Sequence, residues 1–367
     1  MSDLQPAPTS GTRHFVVLDG LRGIAAIAVM ALHLKVKFLL GYRPQAGLAV
    51  DFFFLLSGFV IAHAYWDRLS ERRMGLRRFT LVRLVRFYPM MMLGNLLGAA
   101  YFLALGGKTA TQVAGATVFA LALVPLPRFA DPSDSAYPLN GAFWSLTHEL
   151  LANLAMAALA PMLGGGRRLL VVVGLTIAVM IAIGGNGGLD ASIAWRDQGA
   201  AFARTLASFA FGIALYRLLP TGPMRMTPGT GLLASIILAA TFAGMLFAPI
   251  LPIAVRLAII FLVFPVVVLV AVRLPVPDRP ARVLRWLGAV SFPAYALHVP
   301  FSLALDPWLT PILASGSTWG LPLMAIVIAA ILALSTLALK LYDEPARAWL
   351  GQKLLRRKPL ATTDVRA

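Results

Sequence analysis

Stretches of about 18 to 25 apolar residues recur along the 367-residue chain, each bounded by Arg, Gly or Pro. A helix needs about 20 apolar residues to cross a bilayer core, so this pattern predicts a helical membrane bundle. It excludes an outer-membrane barrel, whose strands alternate apolar and polar positions. The runs lie at about 15–40, 46–65, 89–105, 113–127, 142–163, 169–183, 200–219, 230–248, 253–272, 286–305 and 318–341. The run at 113–127 is short and ends in VPLP. If every run crossed, Arg167-Arg168 and the Arg273, Arg279, Arg282, Arg285 group could not share a side with the basic block at 67–86 and the basic tail. Reading 113–127 as a re-entrant or interfacial piece leaves about ten transmembrane helices and puts every dense basic cluster inside. The expected fold is therefore an all-α polytopic bundle over 14–345. A disordered cytoplasmic tail at 1–13 and a basic cytoplasmic tail at 346–367 are expected to flank it.

Composition agrees with that reading. Hydrophobic residues make up 59% of the chain and charged residues 13%, where a soluble domain has roughly 50% and 25%. Mean hydropathy is +0.81. The net charge of +17 could point to nucleic acid. The cations are interspersed with apolar spans, however, and read first as topology signals, so no nucleic-acid partner is expected. The chain has no cysteine, which removes thiolate nucleophiles and cysteine-ligated metals. Its five histidines show no metal-ligand spacing, and no metal is expected. No small-residue cleavage site follows the first apolar run, so that run is read as a retained helix.

Ionisable residues inside the apolar runs are the candidates for chemistry, because charge at membrane depth is costly and usually faces protein or a wet cavity. The first run contains VLDGLRGIAAIAVMALH. Arg22 and His33 are eleven residues apart there, which places them on nearly one helical face and roughly 16 Å apart along the axis. His33 is read as a proton acceptor near the middle of a buried cavity, the alternative being a core histidine. In the basic block, Arg83 and Arg86 share a face as the chain turns apolar. Anchoring to anionic lipid and binding of a cofactor's phosphates fit that spacing equally. In FWSLTHE, Trp144 suits an interface, whereas Glu149 enters a helix, either for a functional network or to meet the helix dipole. The Ser57-Gly58 pair reads as a helix-packing site. The spans beyond the 184–199 loop carry few polar features and read as scaffold. Tyr295 and His298 share a face of a late span, and Glu344 is expected to pair with an arginine of the cytoplasmic loops.

Six stretches in this order carry a resemblance: LDGLRGIAAIAVMALH, DFFFLLSGFVI at 51–61, RLVRFYP at 83–89, FWSLTHE at 143–149, SFPAYALHVP at 291–300 and DEPAR at 343–347. Together they resemble the acyltransferase-3 family of integral membrane acyltransferases. The resemblance implies transfer of an acyl group, acetyl foremost, from cytoplasmic acyl-CoA to a hydroxyl of a glycan, lipid-linked sugar or small molecule. It also implies a multi-pass protein of the bacterial inner membrane with both termini cytoplasmic. Carried over, His33, Arg22 and Glu149 are the expected catalytic residues. Arg83 and Arg86, with Arg22, are expected on the donor. Asp51, Trp144, His148, Tyr295 and His298 are candidates for the acceptor side, and His148 stands where the family is commonly apolar. Transfer of succinyl or a longer acyl chain, and a non-enzymatic transporter or flippase, are the competing readings.

Overall fold

A computed structural model describes residues 14–130, 133–163, 166–185, 187–218 and 226–355. The expected tail at 1–13 lies outside the described residues, as do positions 356–367 of the expected basic tail; residues 346–355 continue as helix. The elements are α1 (Val16–His33), α2 (Lys37–Leu40), α3 (Leu48–Ser70), α4 (Leu76–Ala104), α5 (Ala110–Leu121), α6 (Phe143–Leu159) and α7 (Gly166–Gly185). They continue with α8 (Gln198–Leu218), α9 (Pro228–Phe247), α10 (Ile253–Ala258), α11 (Phe264–Ala271), α12 (Asp278–Ala314), α13 (Gly320–Ala338) and α14 (Glu344–Leu355). Single π-helical turns, Ile259–Val263 and Leu339–Asp343, join α10 to α11 and α13 to α14. No sheet forms among the described residues; isolated bridges join Pro44 to Pro249 and Ser135 to Ala194.

Among the described residues nine helical stretches are long and apolar enough to cross a membrane. Helix α6, prolonged by the 3-10 turn Ala160–Met162, supplies a tenth. The polytopic all-α bundle expected from the apolar runs is thus the fold. Helices α1, α3 and α12 form its interior, with most of their apolar windows buried. By contrast α7, α9 and the α13–α14 stretch bury only 17%, 22% and 17% and present the remainder outward.

The twelve residues of α5 rise only about 18 Å, too little to span the hydrocarbon. The chain before and after α5 lies at one end of the bundle: a Cβ added at Gly98 of α4 would sit 2.0 Å from the carbonyl oxygen of Leu139, just before α6. The segment therefore leaves and returns on the same side, as the charge pattern predicts. A Thr109–Gln112 capping box starts α5, and Val113 and Ala116 pack on Ala99 and Leu139.

Helices α1 and α12 run parallel. Gly20 meets Leu284, Gly23 meets Leu287, and His33 meets His298, so the residue offset stays nearly constant along the contact. Parallel alignment of the first and ninth spans agrees with α5 not crossing. The glycines matter here because a Cβ at Gly23 would lie 2.6 Å from Leu287. Helices α3 and α8 cross with equal closeness: a Cβ at Gly58 would lie 2.0 Å from the Phe209 carbonyl oxygen, and one at Gly212 would lie 1.9 Å from that of Leu55. Small residues at membrane helix crossings permit this approach, which bears out Gly58 as a packing residue.

Helix α1 stops at His33, short of the 40 expected from the apolar run. The backbone N–H of Val36 donates to the Ala31 carbonyl and that of Lys35 to the Leu32 carbonyl, with Lys35 left-handed at φ 61°. This is a Schellman stop with lysine where glycine is usual. The Lys35 ammonium is held by Asp306 of α12.

Candidate active site

A cavity of about 200 Å³ opens within the bundle between α1, α3, α4, α6 and α12. Its apolar walls include Phe53, Phe54, Val60, Phe87 and Phe292, and its polar lining includes Arg22, Arg83, Arg86, Ser57 and Glu149. The three arginines and the glutamate singled out in the sequence are thus brought together. Their convergence follows from helical spacing, since Arg83 and Arg86 are one turn apart on α4, while Arg22 projects from α1 one turn after Asp19, at 3.8 Å from it.

Each charged group has a distinct setting. The Arg83 side chain lies 4.8 Å over the Phe87 ring, and its buried Nε has no hydrogen-bond partner among the described residues. Arg86 stacks 5.1 Å over Phe292 and stands 3.8 Å from Asp343. Glu149 accepts a 2.5 Å hydrogen bond from the Ser57 hydroxyl across the α3–α6 contact. Ser57 therefore has a partner that its sequence context did not reveal.

The π turn at Leu339–Asp343 widens the helix by one residue and sets Asp343 inward, fully buried, with its carboxylate 2.8 Å from Arg347 Nη2. Glu344 was expected to meet an arginine. It instead faces out and takes Lys340 at 2.8 Å, while its neighbour Asp343 meets the arginines.

Tyr295 closes part of the cavity. Its hydroxyl donates to Ser145 Oγ at 2.7 Å, and the Ser145 hydroxyl in turn donates to the Ala142 carbonyl at 2.9 Å. On the same helix the Tyr295 ring packs against His298, with centroids 5.4 Å apart. His298 is fully buried and its Nε2 lies 3.3 Å from His33 Nδ1. His33 itself is the last residue of α1; its ring keeps an accessible edge although protein closely surrounds it, and it is not among the residues that line this cavity. His33 thus stands at the far end of α1 from Arg22 rather than on the arginine-lined wall. The Schellman stop ends the helix there and leaves the ring at the bundle end opposite the Arg68–Arg78 block, with Tyr295 and His298 between it and the arginines.

The remaining acceptor-side candidates form a separate cluster. Asp51 is wholly buried in a bidentate ion pair with Arg204, with Arg204 Nε to Oδ1 at 2.7 Å and Nη2 to Oδ2 at 2.6 Å. Trp144 packs edge-on against Phe54 and beneath Arg204, and His148 packs between Trp144 and Phe202. None of Asp51, Trp144 and His148 lines the cavity. Arg204 sits in a span read as scaffold. An arginine within one apolar run and a lone aspartate in another were the available signal for this pair.

The comparison with known families decides what kind of protein this is: an acyltransferase-domain model matches residues 15–341. The chain belongs to the acyltransferase-3 family. The match takes in all ten spanning stretches except the end of the last, so this acyltransferase is a single membrane-embedded domain over that range. It is also 37% identical over 162 residues to "Protein 2 in picA locus" of Rhizobium radiobacter, an alignment covering 40% of this chain and 83% of that protein. No solved structure matches the chain.

Proposed function

We propose that this acyltransferase moves an acetyl group from cytoplasmic acetyl-CoA to a hydroxyl on a glycan, a lipid-linked sugar or a small molecule at the opposite membrane face. The observation that carries the reading is the placement of three guanidinium groups, one with a buried Nε that has no hydrogen-bond partner among the described residues, in an apolar-walled cavity on one side of Tyr295, with the His33–His298 pair on the other side. Guanidinium groups in a low-dielectric site suit the phosphates of coenzyme A, which supplies the acyl group as a thioester. The aromatic and aliphatic walls suit the uncharged arm that follows those phosphates.

On this reading Arg22, Arg83 and Arg86 bind the donor, and Asp343 holds Arg86 in place. Glu149, pinned by Ser57, orders the arginine field. His33 takes the acceptor hydroxyl's proton as its oxygen attacks the acyl carbon. The imidazolium so formed lies at the C-terminal, negative end of α1, which favours a cation. The positive-inside pattern supports a cytoplasmic Arg68–Arg78 block and cytoplasmic termini; on this reading the donor enters where it is made and His33 meets the acceptor outside.

The test is transfer of radiolabelled acetyl from acetyl-CoA to envelope material in membrane vesicles from cells carrying the gene. Wild-type protein should label an envelope component and the His33→Ala variant, inserted at equal level, should not. Equal labelling by the two would sink the assignment of His33.

A further inference from the structure

The hydrogen-bond pattern around the two histidines determines which nitrogen carries each proton. His298 Nδ1 lies 2.7 Å from the Tyr295 carbonyl oxygen, which can only accept, so Nδ1 carries the hydrogen. His298 is fully buried, and among the described residues no carboxylate pairs with it, so its ring is neutral and its Nε2 is a bare acceptor. That acceptor faces His33 Nδ1 at 3.3 Å. His33 Nδ1 also lies 2.9 Å from the Val29 carbonyl oxygen, one turn back on α1. Both neighbours of His33 Nδ1 are acceptors, so Nδ1 carries a hydrogen shared between them.

We infer that His298 is a positioning residue that holds His33 in the Nδ1–H tautomer with Nε2 as the reacting nitrogen. The inference deepens the proposed function and rests on it for the word reacting. In transfer, Nε2 takes the proton of the acceptor hydroxyl, the acceptor oxygen bonds to the acyl carbon, the carbon–sulfur bond breaks, and the departing thiolate takes up that proton. His33 Nδ1 keeps its hydrogen throughout, donating to Val29 and His298. The second histidine thus does what a buried carboxylate or carbonyl does behind other catalytic histidines, fixing tautomer and ring plane. Unlike a carboxylate it brings no charge into the bundle interior. Of the other charged groups near this end, Lys35 and Asp306 are paired with each other.

Nitrogen-15 NMR of histidine-labelled protein in nanodiscs tests this directly, with the His33 signals assigned by their loss in His33→Asn. Wild-type His33 should show a protonated Nδ1 and a bare Nε2. His298→Ala should mix the tautomers, whereas His298→Gln, whose amide oxygen can accept from Nδ1–H, should restore the wild-type pattern. In the vesicle assay His298→Ala should lower the maximal rate at least about tenfold with the KM for acetyl-CoA unchanged, and His298→Gln should recover most of it. A wild-type His33 protonated on Nε2, or an unchanged tautomer in His298→Ala, overturns the inference. Full transfer by His33→Ala would instead overturn the proton-acceptor role and leave the tautomer result standing.

Discussion

Asp51 and Arg204 form a two-pronged ion pair in which neither side chain is more than 4% exposed, linking α3 to α8. Arg204 Nη2 also donates to the Gly47 carbonyl at 3.2 Å, so its donors are largely used. Removing one partner of such a pair leaves a buried uncompensated charge, at a cost of about 3–5 kcal/mol. Asp51→Ala should therefore lower the thermal midpoint in detergent sharply. The double variant Asp51→Leu with Arg204→Leu should recover much of the loss. A single variant as stable as the wild type would show that the charge is neutralised some other way.

The same two helices cross at Gly58 and Gly212, each against a main-chain carbonyl oxygen of the other helix. Backbone cannot yield by changing rotamer, so Gly58→Ala should cost about 3 kcal/mol and reduce the monodisperse fraction on size exclusion. Gly115 has open space around it, and Gly115→Ala should leave that fraction unchanged.

Arg83 and Asp343 should both govern donor binding, one by contact and one at a remove. A hydrogen bond to a charged group is worth about 1.5–3 kcal/mol, so Arg83→Ala should raise the KM for acetyl-CoA roughly 10- to 100-fold. Asp343→Asn loosens Arg86 without emptying the cavity and should raise it by a smaller factor. Vesicle kinetics over a range of acetyl-CoA concentrations would check both, and an unchanged KM in Arg83→Ala would remove Arg83 from the donor site.

Tyr295 stands between the arginine-lined cavity and the histidine pair. Tyr295→Phe keeps the ring and loses only the bond to Ser145, and should transfer within about threefold of wild type. Tyr295→Trp adds bulk at the same point and should slow transfer at least about tenfold while acetyl-CoA binding, measured by calorimetry, holds. Wild-type transfer by the tryptophan variant would mean the acyl group takes another route. These factors are order-of-magnitude expectations from steric and positioning effects.

Much of the bundle was legible because a bilayer leaves few options: apolar run length specified the spans, and arginine placement identified α5 as the run that does not cross. The arginine set and Glu149 were legible for the same reason, as charges with no cheap alternative to a shared interior. What the one-dimensional pattern could not carry was pairing between distant helices. Ser57 looked like a mere spacer because Glu149 is 92 residues away, and Arg204 was passed over because Asp51 is 153 residues away. The early end of α1 at His33 was not legible for a local reason. A lysine in a left-handed helix stop is uncommon, and the apolar run continues past it.

The pairing of α1 with α12 has a consequence for biogenesis. His33 and His298 are separated by 265 residues, so the first span to enter the membrane lacks that partner until the ninth arrives. At roughly 5–20 residues per second, that interval lasts about 13–53 s. During it, the costly polar residues of α1 stand in the bilayer without their final neighbour. A nascent chain released early would hold Arg22, Arg83 and Arg86 but neither the α12 wall of their cavity nor a complete histidine pair.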